Sequence, residues 1–89
     1  MPSKKAHLAT ISIVIKDRHA QAPDVNQLLT KHGNIILGRL GLNLGDRCPD
    51  NCVAIITIVV SATKQEVSNL TKEIDEIYGI VAKSNILSN

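Results

Sequence analysis

Two cysteines, Cys48 and Cys52, carry the most reactive side chains of this chain. They lie in the sequence Cys-Pro-Asp-Asn-Cys, a spacing that pairs of metal ligands use. A complete site for a transition metal, the one candidate cofactor, needs further ligands. These could come from a second copy of the chain or from His7, His19, His32 and Asp46. The alternatives are a disulfide within the loop and a pair of plain reduced thiols, and all three remain open.

Asp17, Arg18 and His19 form a second polar group, between a predicted strand and a predicted helix. Free N–H groups and the helix dipole at such a position can hold a small anion, and an ordinary solvated turn is the alternative. Arg39 lies between glycines on a predicted edge strand, where we expect a salt bridge at the rim. The sequence contains no nucleophile-elbow, zinc-protease or phosphate-loop motif, so we predict no catalytic residue.

The composition predicts one globular domain spanning residues 1–89. The net charge is +2 with scattered lysines and arginines, and Tyr78 is the one aromatic residue. Both features argue against direct nucleic-acid binding, which needs a basic stripe or aromatic platforms.

The longest apolar runs, 11–15 and 53–60, are shorter than the roughly 20 residues that span a bilayer. We therefore expect no membrane partner. The basic segment Met1–Lys5 is followed by a strand-like pattern without the apolar core of a signal peptide, so we expect a cytoplasmic protein.

Hydrophobic periodicity predicts four strands and two helices. Pro23 and Asp24 suit the first turn of a helix, and Thr63 and Glu66 have the spacing of a capping box. The predicted strands are His7–Lys16, Ile35–Leu42, Val53–Val60 and Ile80–Leu87, and the predicted helices are Ala22–Lys31 and Thr63–Tyr78. The order βαββαβ predicts an α+β, ferredoxin-like sandwich. Its four-stranded antiparallel sheet has strands one and three at the centre and both helices on one face.

The third predicted strand is apolar at nearly every position, with only Thr57 interrupting it. A strand of this kind is covered on both faces, yet the helices cover only one. Alternate residues would therefore be exposed in a monomer, and an exposed apolar patch usually marks an association surface. The predicted interface residues are Ile56, Ile58 and Val60, or else the set Val53, Ile55 and Val59. We expect a homodimer or a higher homo-oligomer through the open sheet face.

Several stretches together resemble one family of small proteins. They are Ile15–Arg18, Val25–Leu29, Lys31–Leu42, Val53–Val60 and Ile74–Ser84. With these stretches, nearly the whole chain resembles the small regulators of the iron-only hydrogenase system. The resemblance implies an ACT-like domain, related in fold to the nickel-sensing domain of ribbon-helix-helix repressors. It also implies dimers or larger assemblies without a DNA-binding module.

The segment from Asp17 to Asn34 is also similar to the ACT pattern in which an Asp-Arg-Pro-Gly loop borders an amino-acid site. Here His19 replaces the proline, and Ala20 and Ala22 stand where a glycine would let the backbone close on a ligand. These differences argue against an amino acid as the effector.

The sequence favours a non-enzymatic regulatory or ligand-sensing module. The resemblance implies effector contacts around Asp17, Arg18, His19 and Asn34, at an oligomer interface. The alternative function is a metal-binding or redox protein that uses Cys48 and Cys52. An enzyme built on the ferredoxin-like sheet ranks last, because the open sheet face is mostly aliphatic.

Overall fold

The computed structural model describes residues 5–43 and 53–88, with Arg18 and His19 described for their backbone only. The elements are β1 His7–Ile15, α1 Arg18–Lys31, a short 3₁₀ helix Gly33–Ile35, β2 Ile36–Asn43, β3 Ala54–Ala62, α2 Lys64–Asp75 and β4 Ile80–Ile86. The strands form one antiparallel sheet in the order β2-β3-β1-β4. The predicted ferredoxin-like order, with β1 and β3 at the centre, is confirmed.

The alternating side chains of β1 separate a covered face of the sheet from an open face. Ile11, Ile13 and Ile15 are fully buried under the helices, whereas Ser12 between them is exposed. This follows because successive side chains of a strand point to opposite faces. The helices contribute to the same core Val25, Leu29, Val67, Leu70 and Ile74. The core therefore lies between the helices and one face of the sheet.

The register between β1 and β3 decides which residues of β3 enter that core. Ile11 pairs with Ile58, and Ile13 pairs with Ile56. Directly paired residues share a face, so Ile56, Ile58 and Val60 lie beneath the helices, and none is more than 6% exposed. The prediction that these three residues lie on the open face is therefore wrong. Ile55 and Ile56 are equally apolar, but the polar residues Thr57 and Ser61 alternate with the buried set and lie on the other face.

The alternative set of β3 residues, represented by Ile55 and Val59, lies on the open face. Val59 pairs with Thr10, and Thr57 pairs with Ser12, so a row of hydroxyl groups runs through the middle of this face. On β4 the exposed polar residues Lys83 and Asn85 continue this row, since they pair with Ser12 and Thr10. Aliphatic side chains also lie on this face. Those that are at least one-third exposed are Leu8, Leu40, Leu42 and Val81. We call this surface the open face.

α1 begins at Arg18 and not at the predicted Ala22. The backbone N–H of Gln21 donates to the Asp17 carbonyl at 2.9 Å, which closes the first turn. Pro23 therefore lies inside the helix rather than in its first turn, where it can donate no backbone hydrogen bond. Proline was a misleading start signal because the helix already begins at Arg18, five residues before Pro23.

The predicted start of α2 is confirmed. The Thr63 hydroxyl accepts from the Glu66 N–H at 3.1 Å, and the Glu66 carboxylate accepts from the Thr63 N–H at 2.9 Å. This reciprocal capping box satisfies two backbone donors that a helix start leaves unpaired. Within the part of the chain that the structure describes, no helix is both long enough and apolar enough to cross a membrane.

β2 is an edge strand with a bulge between Ile36 and Gly38, as its glycines indicated. The Arg39 guanidinium donates to the Asn26 side-chain carbonyl of α1 at 2.9 Å. The described contact of Arg39 is thus a hydrogen bond that ties the edge strand to α1, in place of the predicted salt bridge.

Because neighbouring residues of β3 lie on opposite faces of the sheet, truncation of two neighbours should lower the free energy of unfolding by different amounts. Ile58→Ala should lower the free energy of unfolding by about 2–5 kcal/mol, because it opens a cavity in the core. Val59→Ala should cost less than about 1.5 kcal/mol, because Val59 is already 36% exposed. Chemical denaturation of both variants measures the difference. Equal costs, or the reverse order, would contradict the assignment.

Candidate functional site

The β1–α1 turn holds Asp17 in a fixed backbone position. Its carbonyl accepts the N–H groups of Ala20 and Gln21, at 3.2 Å and 2.9 Å. Its own N–H donates to the Gln21 side-chain carbonyl at 3.0 Å. The Gln21 side chain thus folds toward the N-terminus of α1 and holds the backbone of Asp17 in place. The Asp17 residue itself remains exposed.

Gln21 also joins this turn to the turn between α2 and β4. Its side-chain NH₂ donates to the Tyr78 carbonyl at 2.7 Å. Gly79 follows with a φ of 80°, a left-handed conformation that costs other residues energy. A Cβ atom on Gly79 would stand 1.8 Å from the Gln21 amide nitrogen, so the contact also requires the absence of a side chain. We call these three residues the Gln21 clamp.

The Gln21 clamp was not predicted from the sequence. The sequence Tyr78-Gly79 did indicate the end of a helix, and the left-handed conformation of Gly79 fits that prediction. Nothing in the sequence indicates that Gln21 bridges to Tyr78, because the two residues lie far apart in the chain and meet only when both helices pack on the sheet.

A shallow cleft of about 470 Å³ lies beside the Gln21 clamp and is lined by Asp17, Ala20, Gln21, Asp24, Ile77 and Tyr78. Two of these residues carry carboxylates. Their charge opposes the binding of an anion in the cleft, so this cleft gives no support to the small-anion hypothesis. It suits a ligand that carries a positive charge or hydrogen-bond donors.

Asn34 lies apart from the other predicted effector residues. It is exposed in the 3₁₀ helix that follows α1, whereas Asp17 precedes α1 and Arg18 and His19 begin it. A 14-residue helix is roughly 20 Å long. A single chain therefore does not bring Asn34 together with Asp17, and contact of both with one small effector needs two chains.

The described histidines hold structural positions. His7 is 8% exposed, and its Nδ1 donates to the Ser88 carbonyl at 2.9 Å. The Nε2 of His32 lies 3.4 Å from a carboxylate oxygen of Glu73, beside the C-terminal end of α1. Among residues 5–43 and 53–88, no group of three or more His, Cys, Asp and Glu side chains could hold a metal ion.

Cys48 and Cys52 lie outside the described residues. Their use as metal ligands, as a disulfide or as reduced thiols stays a prediction. Asp46, a proposed additional ligand, also lies outside the described residues.

Comparison with known proteins identifies one family. The model of the TM1266-like family, described as "Iron-only hydrogenase system regulator, putative", matches residues 7–84. The solved structure of the uncharacterized protein TM1266 from Thermotoga maritima superposes with a TM-score of 0.80 at 25% sequence identity. The alignment covers 93% of this chain and 99% of that one. A search of the curated proteins found no match.

Two more distant structures share the fold. The C-terminal domain of the MgtC protein from Mycobacterium tuberculosis has a TM-score of 0.62 at 9% identity, covering 100% of this chain and 96% of that one. The apo form of CPII from Thiomonas intermedia K12, a nitrogen regulatory PII-like protein, has a TM-score of 0.56 at 18% identity. Its alignment covers 92% of this chain and 90% of that one. At these identities the likeness concerns the fold alone.

The Gln21 clamp predicts that two substitutions are not additive. Gln21→Ala should lower the free energy of unfolding by about 1 kcal/mol. Gly79→Ala should cost about 2–3 kcal/mol, since it adds left-handed strain and also expels the Gln21 side chain. The double variant should lower the free energy of unfolding by about 1 kcal/mol less than the sum of the two single effects. The reason is that both substitutions remove the same hydrogen bonds.

Gly33→Ala is the matched control, because a Cβ atom on Gly33 would meet nothing within 4 Å. It should leave the free energy of unfolding nearly unchanged. Strict additivity of Gln21→Ala and Gly79→Ala in urea denaturation would show that the two residues do not act together.

Proposed function

The chain belongs to the TM1266-like family, and from this premise we propose that it is a non-enzymatic regulatory module of an iron-only hydrogenase system. The observation that carries the proposal is the extent of the family match. It runs from the first residue of β1 into β4, so it includes both helices, three whole strands and most of the fourth. The proposed role therefore belongs to the whole domain and not to one appended motif.

We propose further that the chain works as a homodimer or higher homo-oligomer, with the open face as the contact between copies. Val59 and Val81 are more than one-third exposed, and Leu40 and Leu42 more than one-half. Aliphatic surface of this kind favours removal from water by about 25 cal/mol per Å². The rows of Ser and Thr hydroxyl groups between the aliphatic side chains could pair with the same groups of a second copy.

The dimensions of the open face support association between two copies. Four strands at about 4.8 Å spacing, each some eight residues long, give a face of roughly 500 Å². Two such faces together bury roughly 1,000 Å², which is near the lower limit for a specific protein interface. We therefore expect an assembly whose subunits exchange, and a bound effector could stabilise it.

The effector contacts that we propose, Asp17, Arg18, His19 and Asn34, lie at the ends of α1, on the side of the sheet opposite the open face. We propose that they meet at a second contact between copies, in a higher homo-oligomer. Asp17 and Asn34 lie at opposite ends of α1, so one effector contacts both only where two copies meet. Binding would then depend on assembly, and assembly would depend on binding to the same extent. This coupling is what a regulatory module requires.

The open-face contact predicts a clear effect of one added charge. Val59→Lys should shift the protein toward the monomer, because an ammonium group buried in the contact loses its hydration. The variant should still fold, since Val59 is outside the core. Ser68→Lys, which adds the same charge at an exposed position of α2, should leave the mass unchanged. Sedimentation velocity at micromolar concentration measures the mass, and a monomeric wild-type protein would contradict the contact.

The regulatory role is tested in a host that makes an iron-only hydrogenase and carries this gene. Deletion of the gene should change the hydrogenase transcript level or the hydrogen production by at least about twofold, and the wild-type gene should restore it. The Val59→Lys gene should restore it less well than the Ser68→Lys gene. Unchanged hydrogenase transcript and activity after deletion would overturn the proposed function.

A further inference from the structure

A groove runs between α1 and α2. Its volume is about 620 Å³, and its lining residues come from the two helices and the turn after α2. Leu28 and Ile77 form its half-buried apolar floor, packed against the core. The charged residues along it are Asp24, Lys31, Glu73 and Glu76. We call this surface the helix groove, and it is separate from the open face on which the proposed assembly depends.

The charge of the helix groove is opposite in sign to that of the whole chain. Three carboxylates and one ammonium group line it, whereas the net charge of the chain is +2. A concave surface with one dominant sign of charge attracts partners of the other sign. The surface therefore suits a cationic partner, and its apolar floor suits one that also carries hydrophobic side chains.

Tyr78 lines the cleft beside the Gln21 clamp and not the helix groove itself. The two depressions share Asp24 and Ile77, so Tyr78 lies near one end of the helix groove. The contact that Tyr78 makes with Gln21 uses its backbone carbonyl, and its side chain is 93% exposed. The fold therefore does not need the phenol ring. An exposed tyrosine beside carboxylates suits the side chains of Arg and Lys, which bind to ring faces, and tyrosine is common among interface anchors.

We propose that the helix groove binds a basic amphipathic helix of a partner protein. The apolar side of that helix would lie on Leu28 and Ile77. Its lysines and arginines would lie against the carboxylates of Asp24, Glu73 and Glu76, and near Tyr78. A helix is the fitting shape, because a helix packs into the space between two other helices with its side chains interlocking with theirs.

The proposal is tested with a synthetic 14-residue helical peptide that has leucines on one face and arginines and lysines on the other. The labelled peptide is titrated with the full chain at physiological salt, and fluorescence anisotropy reports binding. Glu76→Gln should weaken binding roughly two- to fivefold, and Lys31→Gln should strengthen it by a similar factor. Tyr78→Ala should weaken binding roughly fivefold or more.

Lys72→Gln is the matched control for Lys31→Gln. Both lysines lie in the last turn of their helices, but Lys72 is exposed outside the helix groove. Lys72→Gln should therefore leave the affinity for the peptide nearly unchanged. Circular dichroism should show that all four variants retain the fold.

Three results would overturn the proposal. Equal effects of Lys31→Gln and Lys72→Gln would mean that the peptide responds only to net charge. Equally tight binding of a peptide with glutamates in place of its basic residues would remove the argument from charge. A change in the oligomeric mass of the protein with Glu76→Gln, without a change in peptide affinity, would mean that a second copy fills the helix groove.

Discussion

The pairing of β1 with β3 is the interaction on which the rest of the structure depends. It places Ile11 opposite Ile58 and Ile13 opposite Ile56, and these four side chains form the centre of the core. A shift of one residue would move the aliphatic side chains of β3 to the opposite face. Ile55 and Val59 would then supply hydrophobic surface to the helices, but Thr57 and Ser61 would be buried with them. These two polar residues of β3 therefore determine the register, since burial beneath the helices would leave their hydroxyl groups without water.

This dependence explains which parts of the fold the sequence predicts. The order of elements, the central strands and the capping box at Thr63 follow from local patterns, and the structure confirms them. The exposed side of β3 was predicted without a choice between two sets, because Ile55 and Ile56 are equally apolar. The positions of Thr57 and Ser61, which alternate with the fully apolar buried set, would have assigned it. The start of α1 was predicted late because Pro23 is a strong local signal, whereas Asp17 begins the helix through a backbone carbonyl, which every residue type possesses.

The candidate site was less predictable than the fold for a related reason. Asp17, Arg18 and His19 are neighbours in sequence, and their common location was easily predicted. Asn34 was grouped with them on resemblance alone, and the length of α1 separates it from Asp17 within one chain. The residues that bridge the two turns, Gln21 and Tyr78, meet only in the folded protein. The hydrogen bond joins the Gln21 side chain to the backbone carbonyl of Tyr78. No residue pattern in the sequence indicates such a bond, because every residue type has a backbone carbonyl.

The central position of β3 also has a consequence for how the chain folds. Ile15 pairs with Ala54 and His7 pairs with Ala62, so the centre of the sheet joins strands that are separated by a helix, an edge strand and a long connection. Contacts between residues so distant in sequence slow folding, because the intervening chain loses its freedom before the contacts form. During synthesis, β1 cannot pair with β3 until the ribosome has released residues beyond Ala62. Until then the isoleucines of β1 remain exposed, and α1 can give them only partial cover.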